Sequence, residues 1–174
     1  VSQSIYIDDA ETDTESLKQS FISNGDAILC TSLWGTLTEG VSFDDDAARA
    51  VAVIGVGYPY LSERTKAIEA AYDRAYSNDT NAGWQYGVEI PTIRKTRQAL
   101  GRVIRSPEDY GVRLLIDKRY TKASTEMGKY GVRDAFPTEE RTEFVDIAPE
   151  KVKYSMLNFF QQFDAYNGRH PHPE

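Results

Sequence analysis

The chain has one cysteine, two histidines and no long apolar run, and each scarcity removes a class of function. A lone Cys30 permits no disulfide framework and no cysteine-rich metal or iron–sulfur site within these 174 residues. It stands in the apolar run Ala27–Thr31 and is expected to be a buried, inert thiol. His170 and His172 lie in a proline-broken tail and make no metal site by themselves. Asp44, Asp45 and Asp46 read as solvated surface, so no metal site is expected. No apolar stretch approaches the roughly 20 residues of a membrane-spanning helix. The opening residues have neither the basic nor the apolar part of a signal peptide. The first residue is Val, so the sequence is expected to be a piece of a longer chain. No Ser/His/Asp set is visible, and no phosphate-binding G-x-x-x-x-G-K-[ST] loop occurs.

What is present is the composition of one ordinary folded domain, 40% hydrophobic and 27% charged. The formal net charge is −7, which argues against a general nucleic-acid surface. The average hides an asymmetry. Between Arg94 and Arg119 stand eight basic residues against three acidic ones. Such a patch binds phosphates whatever the global sign, although any single Lys or Arg more simply solvates a helix face.

Strand and helix patterns alternate along the chain. Ser4–Ile7, Ala27–Thr31, Arg49–Val56 and Gly111–Asp117 are short apolar runs of strand length. Between them, Asp13 or Thr14 caps a helix ending near Asn24-Gly25, and Ser62 caps a second helix reaching Ser77. A third helix is expected from Ile90 to Arg105, with Pro91 in its first turn, where its missing N–H does no harm. Residues 121–148 show little periodicity before Pro137, and a final amphipathic helix follows. Apolar strands separated by helices predict an α/β fold with a mainly parallel sheet covered on both faces.

The third helix carries the densest signal. At about 100° per residue, Arg102 lies about 40° from Gln98, and Arg105 about 20° away on the other side. Ile93, Leu100, Val103 and Ile104 gather on the opposite face. Gly101 sits near the polar stripe, where a helical glycine costs roughly 1 kcal/mol relative to Ala. Ser106-Pro107 stops the helix. Two readings stay open: a solvated face with a packing glycine, or a polyanion site built on two guanidiniums.

Gln98-x-x-Gly101-Arg102-x-x-Arg105 resembles motif VI of superfamily 2 helicases. With Asp109-Tyr110-Gly111 and Asp117-Lys118-Arg119 downstream, it resembles the Rad3/XPD branch. Leu33–Phe43 is similar to motif V of that branch: Glu39 and Gly40 match, Thr38 replaces a serine, and Ser42 replaces the usual aspartate. Ala48-Arg49-Ala50-Val51 stands where the family has Gly-Arg-Ala-Val. The likeness covers roughly residues 5–120.

The resemblance implies a RecA-like three-layer sandwich. Residues 1–174 would be the second, C-terminal RecA-like domain, truncated at its start, with 121–174 a less diagnostic extension. It implies an ATP-dependent DNA helicase of nucleotide excision repair type, moving 5′→3′. ATP and Mg²⁺ would be held mainly by the other RecA-like domain of the full-length chain, which would also carry any iron–sulfur cluster. The present chain alone would be inactive. Arg102 and Arg105 would contact the γ-phosphate, one of them as an arginine finger, and Gln98 would position the attacking water or link the phosphate to motif V. Gly101, Glu39, Gly40 and Asp117 complete the ATP-binding set, with Asp117 and Arg119 also read as a brace for the cleft edge. Single-stranded DNA would lie on Trp34, Thr36, Tyr58, Tyr60 and Arg64, since aromatics stack on bases without sequence preference. Core packing is the competing reading for each aromatic. The enzyme would be a monomer without membrane attachment, cytoplasmic in a prokaryote or nuclear in a eukaryote. A DinG-like helicase domain and a non-catalytic RecA-like interaction module are the alternatives.

Overall fold

The four apolar runs do become strands, and they pair in parallel. The computed structural model describes residues 3–9, 11–40, 43, 47–104 and 109–165. Strand β1 (Ser4–Ile7) pairs with β2 (Ala27–Cys30), Ile5 opposite Ile28 and Ile7 opposite Cys30. Strand β3 (Ala50–Ile54) pairs with β4 (Val112–Ile116), Val53 opposite Leu115 and Ile54 opposite Ile116. Among the described residues these are two separate pairs rather than one sheet. The connections are helical, as parallel pairing requires.

Covering on both faces is where the expectation fails. Burial alternates along the strands: Ile5 and Ile7 are each 63% exposed and Ile54 is 81% exposed, while Val53 is buried. Cys30 shares the bare side of β1–β2 and is exposed, not buried. A two-stranded ribbon packed on one side only must leave every second side chain in solvent.

Helix α1 (Thr14–Ile22) starts at Asp13, whose carboxylate accepts from Ser16 N at 2.9 Å. That bond holds the exposed Asp13 carboxyl below its usual value. Leu17 and Phe21 pack with Leu29 against Leu37 and Phe43, and so fasten the short helix α2 (Thr36–Gly40). Helix α3 (Glu63–Ala75) is capped by Ser62 Oγ, which accepts from Thr65 N.

The third predicted helix is longer at one end and shorter at the other. Helical structure begins at α4 (Ala82–Trp84) and passes through a wide π-turn at Gln85–Glu89. It then continues as α5 (Ile90–Leu100). The π-turn lies immediately ahead of Pro91, whose ring and missing N–H forbid a regular turn. At the far end Gly101 is the C-cap, not an interior residue, so Arg102 leaves the helical wheel assigned to it above. Thr92 and Thr96 are buried and return their hydroxyls to the carbonyls of Val88 and Thr92.

Val53, Ile93, Leu100, Tyr120, Val132 and Phe136 form the main core. The segment from 118 to 142 wraps it as 3₁₀ turns and a short helix α6 (Thr138–Thr142), which fits its missing periodicity. Helix α7 (Pro149–Ala165) follows. Gly111 is required by close approach: a Cβ there would lie 2.1 Å from Val103 Cγ1 and 2.8 Å from the Arg49 carbonyl oxygen. No helix among the described residues is long and apolar enough to cross a membrane.

Candidate nucleotide and nucleic-acid site

Where α5 ends, motif VI meets motif V. With Gly101 closing the helix, the chain turns and Arg102 Nη2 donates to the Thr38 carbonyl at 2.5 Å. Thr38 is itself buried, and its hydroxyl donates to the Ser32 carbonyl at 2.9 Å. Thr36 begins α2, and its hydroxyl lies 3.1 Å from that of Thr14. Glu39 and Gly40 follow on the same short helix. Gln98 is exposed on the last turn of α5. Arg105, the second arginine of the motif, lies outside the described residues, as does Ser42.

Trp34 joins this junction to the next loop. Its Nε1 donates to the Gly57 carbonyl at 2.9 Å, and Lys95 from α5 stands 5.2 Å from the centre of its ring. Gly57 permits the contact, since a Cβ there would fall 2.4 Å from Leu33 Cδ2.

Beyond Gly57 the site becomes an aromatic ledge. Tyr58 packs on Trp84 with ring centres 5.4 Å apart, and Trp84 meets Tyr130 edge-on at 5.5 Å. Lys129 lies 4.9 Å over the Trp84 ring. The Tyr58 hydroxyl donates to the Tyr130 carbonyl, and burial pushes its phenol up. Arg119 stands 5.5 Å over the Tyr58 ring and forks onto Asp117, with Nε and Nη2 each 2.8 Å from a carboxylate oxygen. Those bonds hold the Asp117 carboxyl below its usual range and push the Arg119 guanidinium up. Asp117 and Arg119 therefore brace this ledge. Tyr60 is 88% exposed, and Arg64 is exposed on α3.

Trp84 and Tyr130 were missed by sequence reasoning. The signal was present: Gly-Trp-Gln-Tyr-Gly and Gly-Lys-Tyr-Gly interleave aromatics with glycine or lysine. Trp84 Nε1 is buried and has no acceptor among the described residues. A groove of about 900 Å³ runs beside the ledge, lined by Gln85, Glu89, Thr125, Lys129 and Asp134 among others. Burial pushes the Glu89 carboxyl up. The basic window is partly matched by acids outside it, Arg97 by Glu140 and Arg113 by Glu143.

The donor set suits a phosphate more than a metal. Gln98 stands exposed on the last turn of α5 and Arg102 follows its C-cap, and no group of three His, Cys, Asp or Glu able to hold an ion occurs among the described residues. The fold resembles that of a solved XPD helicase, with a TM-score of 0.57 and 22% identity over 73% of this chain and 23% of that one. In sequence, the chain is 34% identical over 106 residues to a regulator of telomere elongation helicase 1 homolog of Caenorhabditis elegans, covering 58% of this chain and 11% of that protein. It is 31% identical over 117 residues to the general transcription and DNA repair factor IIH helicase subunit XPD/RAD3 of Saccharomyces cerevisiae, covering 65% and 15%. The ATP-dependent DNA helicase chl1 of Schizosaccharomyces pombe is 32% identical over 114 residues, covering 63% and 14%. The chain thus spans only 11% to 15% of the length of these relatives. Residues 2–130 match the family described as the helicase C-terminal domain, and the chain belongs to that family, in its Rad3/XPD-like superfamily 2 branch.

Proposed function

We propose that this chain is the second motor domain of an ATP-dependent DNA helicase acting in excision repair. The observation that carries the reading is the hydrogen bond from Arg102 to the Thr38 carbonyl, which ties the phosphate-facing end of α5 to α2, the helix that opens at Thr36 just after Trp34. A group that senses phosphate and is anchored in a nucleic-acid loop is what coupling of hydrolysis to movement requires.

Bound ATP with Mg²⁺ supplies the phosphoryl group and neutralises its charge; both are held mainly by the other RecA-like domain of the full-length protein. Within this chain, Arg102 and Arg105 face the γ-phosphate, and one serves as the finger, a device that contributes about 10³–10⁵ in rate. Gln98 orients the attacking water, and Gly101 keeps the helix end open to the phosphates. Glu39 and Gly40 transmit the nucleotide state, and Asp117 closes the cleft edge through Arg119. Single-stranded DNA crosses Trp34, Thr36, Tyr58, Tyr60 and Arg64, and the ledge of Trp84, Lys129 and Tyr130 extends the same track. The protein acts as a monomer, in the compartment that holds the DNA.

The test is hydrolysis by the full-length protein with and without single-stranded DNA. DNA-stimulated turnover is expected there, and none from the 174-residue chain alone. A full-length protein that hydrolyses no ATP, or one indifferent to DNA, contradicts the reading.

A further inference from the structure

Three tyrosines away from this site form a surface of their own. Tyr72 and Tyr76 project one turn apart at the end of α3, and Tyr86 reaches them from the π-turn. Ring centres lie 5.3 Å (Tyr72–Tyr86), 5.2 Å (Tyr76–Tyr86) and 6.3 Å (Tyr72–Tyr76) apart, with planes inclined by 23° to 30°. The stack belongs to neither buried core cluster, and Tyr76 is half exposed. None of the three hydroxyls bonds to a described residue.

The stack is held rigidly. Gly83 and Gly87 let the π-turn segment press against α3: a Cβ on Gly83 would fall 2.5 Å from the Glu69 carbonyl oxygen. Gly83 N donates to Asp73 Oδ1 at 2.7 Å, pinning the two elements. Beside Tyr76 lies a hollow of about 290 Å³ walled by Ala75, Ser77, Asn78 and Asp79.

Charge selects the occupant. From Glu69 to Asp79 the chain carries three acids, Glu69, Asp73 and Asp79, against Arg74 alone. Such a field repels a phosphodiester backbone and attracts cations. Flat tyrosine faces accept a guanidinium plane or a pyrrolidine ring, and a proline-rich strand arrives already extended.

We infer that the Tyr72–Tyr76–Tyr86 stack is a docking surface for an arginine- and proline-containing segment of a partner protein. It lies outside the ATP and DNA track and does not depend on it. The experiment is fluorescence anisotropy of a labelled peptide of alternating arginine and proline, titrated with the full-length protein at low salt. Binding is expected to weaken at least about tenfold in Tyr76→Ala and in Tyr86→Ala, as for an interface anchor. It should stay unchanged in Tyr60→Ala. Arg74→Glu, which removes the one local cation, should tighten it, and this holds the inference to account even if a tyrosine variant fails to fold by circular dichroism. Absence of binding, equal binding of a glutamate–proline peptide, or no weakening in folded tyrosine variants and no tightening by Arg74→Glu overturns it. Loss of oligo(dT) binding with peptide binding intact in Tyr76→Ala assigns the surface to nucleic acid instead.

Discussion

Arg102 is bound to the Thr38 carbonyl, and Arg49 holds the Tyr110 carbonyl at 3.2 Å while stacking 4.0 Å over its ring. Both are contacts between distant motifs made by a single guanidinium. Gly111, next to Tyr110, leaves room for the second, since a Cβ there would press on the Arg49 carbonyl and on Val103. Gly111→Ala is expected to lower stability by about 1–3 kcal/mol, the usual cost of forcing a methyl into packed atoms. Urea unfolding of the two forms measures it. Asp117 gives a pH-dependent counterpart. Its folded carboxyl titrates below the unfolded value of about 3.9, because Arg119 donates to it. The folded state therefore gains stability from this carboxylate above about pH 4 and loses it as pH falls toward the lowered value. Asp117→Asn should flatten that loss in acid unfolding curves; an unchanged slope would mean the fork contributes nothing. At this scale the sequence shows the motif's residue types, Gln98, Gly101 and Arg102, and leaves their roles to experiment. It was not legible where the partner comes from far along the chain: nothing near Arg102 names the Thr38 carbonyl. Nor does anything near Trp84 reveal that its ring joins Tyr58 and Tyr130.

The strands, the Asp13 and Ser62 caps and the final helix followed from local patterns, because apolar spacing and capping oxygens act within a few residues. The end of α5 did not. An unbroken apolar face through Val103 and Ile104 argues for a helix, and the glycine that ends it reads equally well as a packing glycine. The distinction has a functional edge. With φ −72° and ψ 0°, Gly101 sits in a conformation Ala also adopts, and its Cβ would meet the carbonyl oxygens of Arg97 at 3.3 Å and Gln98 at 3.6 Å. Gly101→Ala therefore favours continuation of α5 by roughly 1 kcal/mol, which turns Arg102 away from Thr38. The expected outcome is stability within about 1 kcal/mol of the parent and DNA-stimulated turnover of the full-length enzyme lowered at least about tenfold. Equal turnover would remove the helix end from the coupling path. The π-turn was likewise invisible, since it arises from Pro91 lying within helical structure that began at Ala82, not from any residue that favours π geometry.

For the whole molecule, the α/β class and parallel pairing were readable from strand–helix alternation. The division of the described strands into two pairs, with alternate side chains exposed, was not. A strand of four or five residues carries too little pattern to say how many of its faces are covered, so Cys30 was misjudged with the strand that holds it. The net charge of −7 sets a second expectation at this scale. If DNA binding comes from a few cations such as Arg64, Lys95 and Lys129 on an acidic body, the affinity for oligo(dT) must fall steeply with salt, each phosphate neutralised adding about 0.7 to the slope for a single strand. Salt-insensitive binding would contradict a phosphate track. The central claim remains that Arg102 works on the nucleotide while anchored in the DNA loop. Single-turnover hydrolysis by the full-length protein carrying Arg102→Ala and Arg102→Lys measures it directly. The account predicts a rate reduced by about 10³ or more in the alanine form. The lysine form should recover little, because a point charge cannot reproduce the guanidinium fork. Turnover within a few-fold of the parent in either variant would contradict the account.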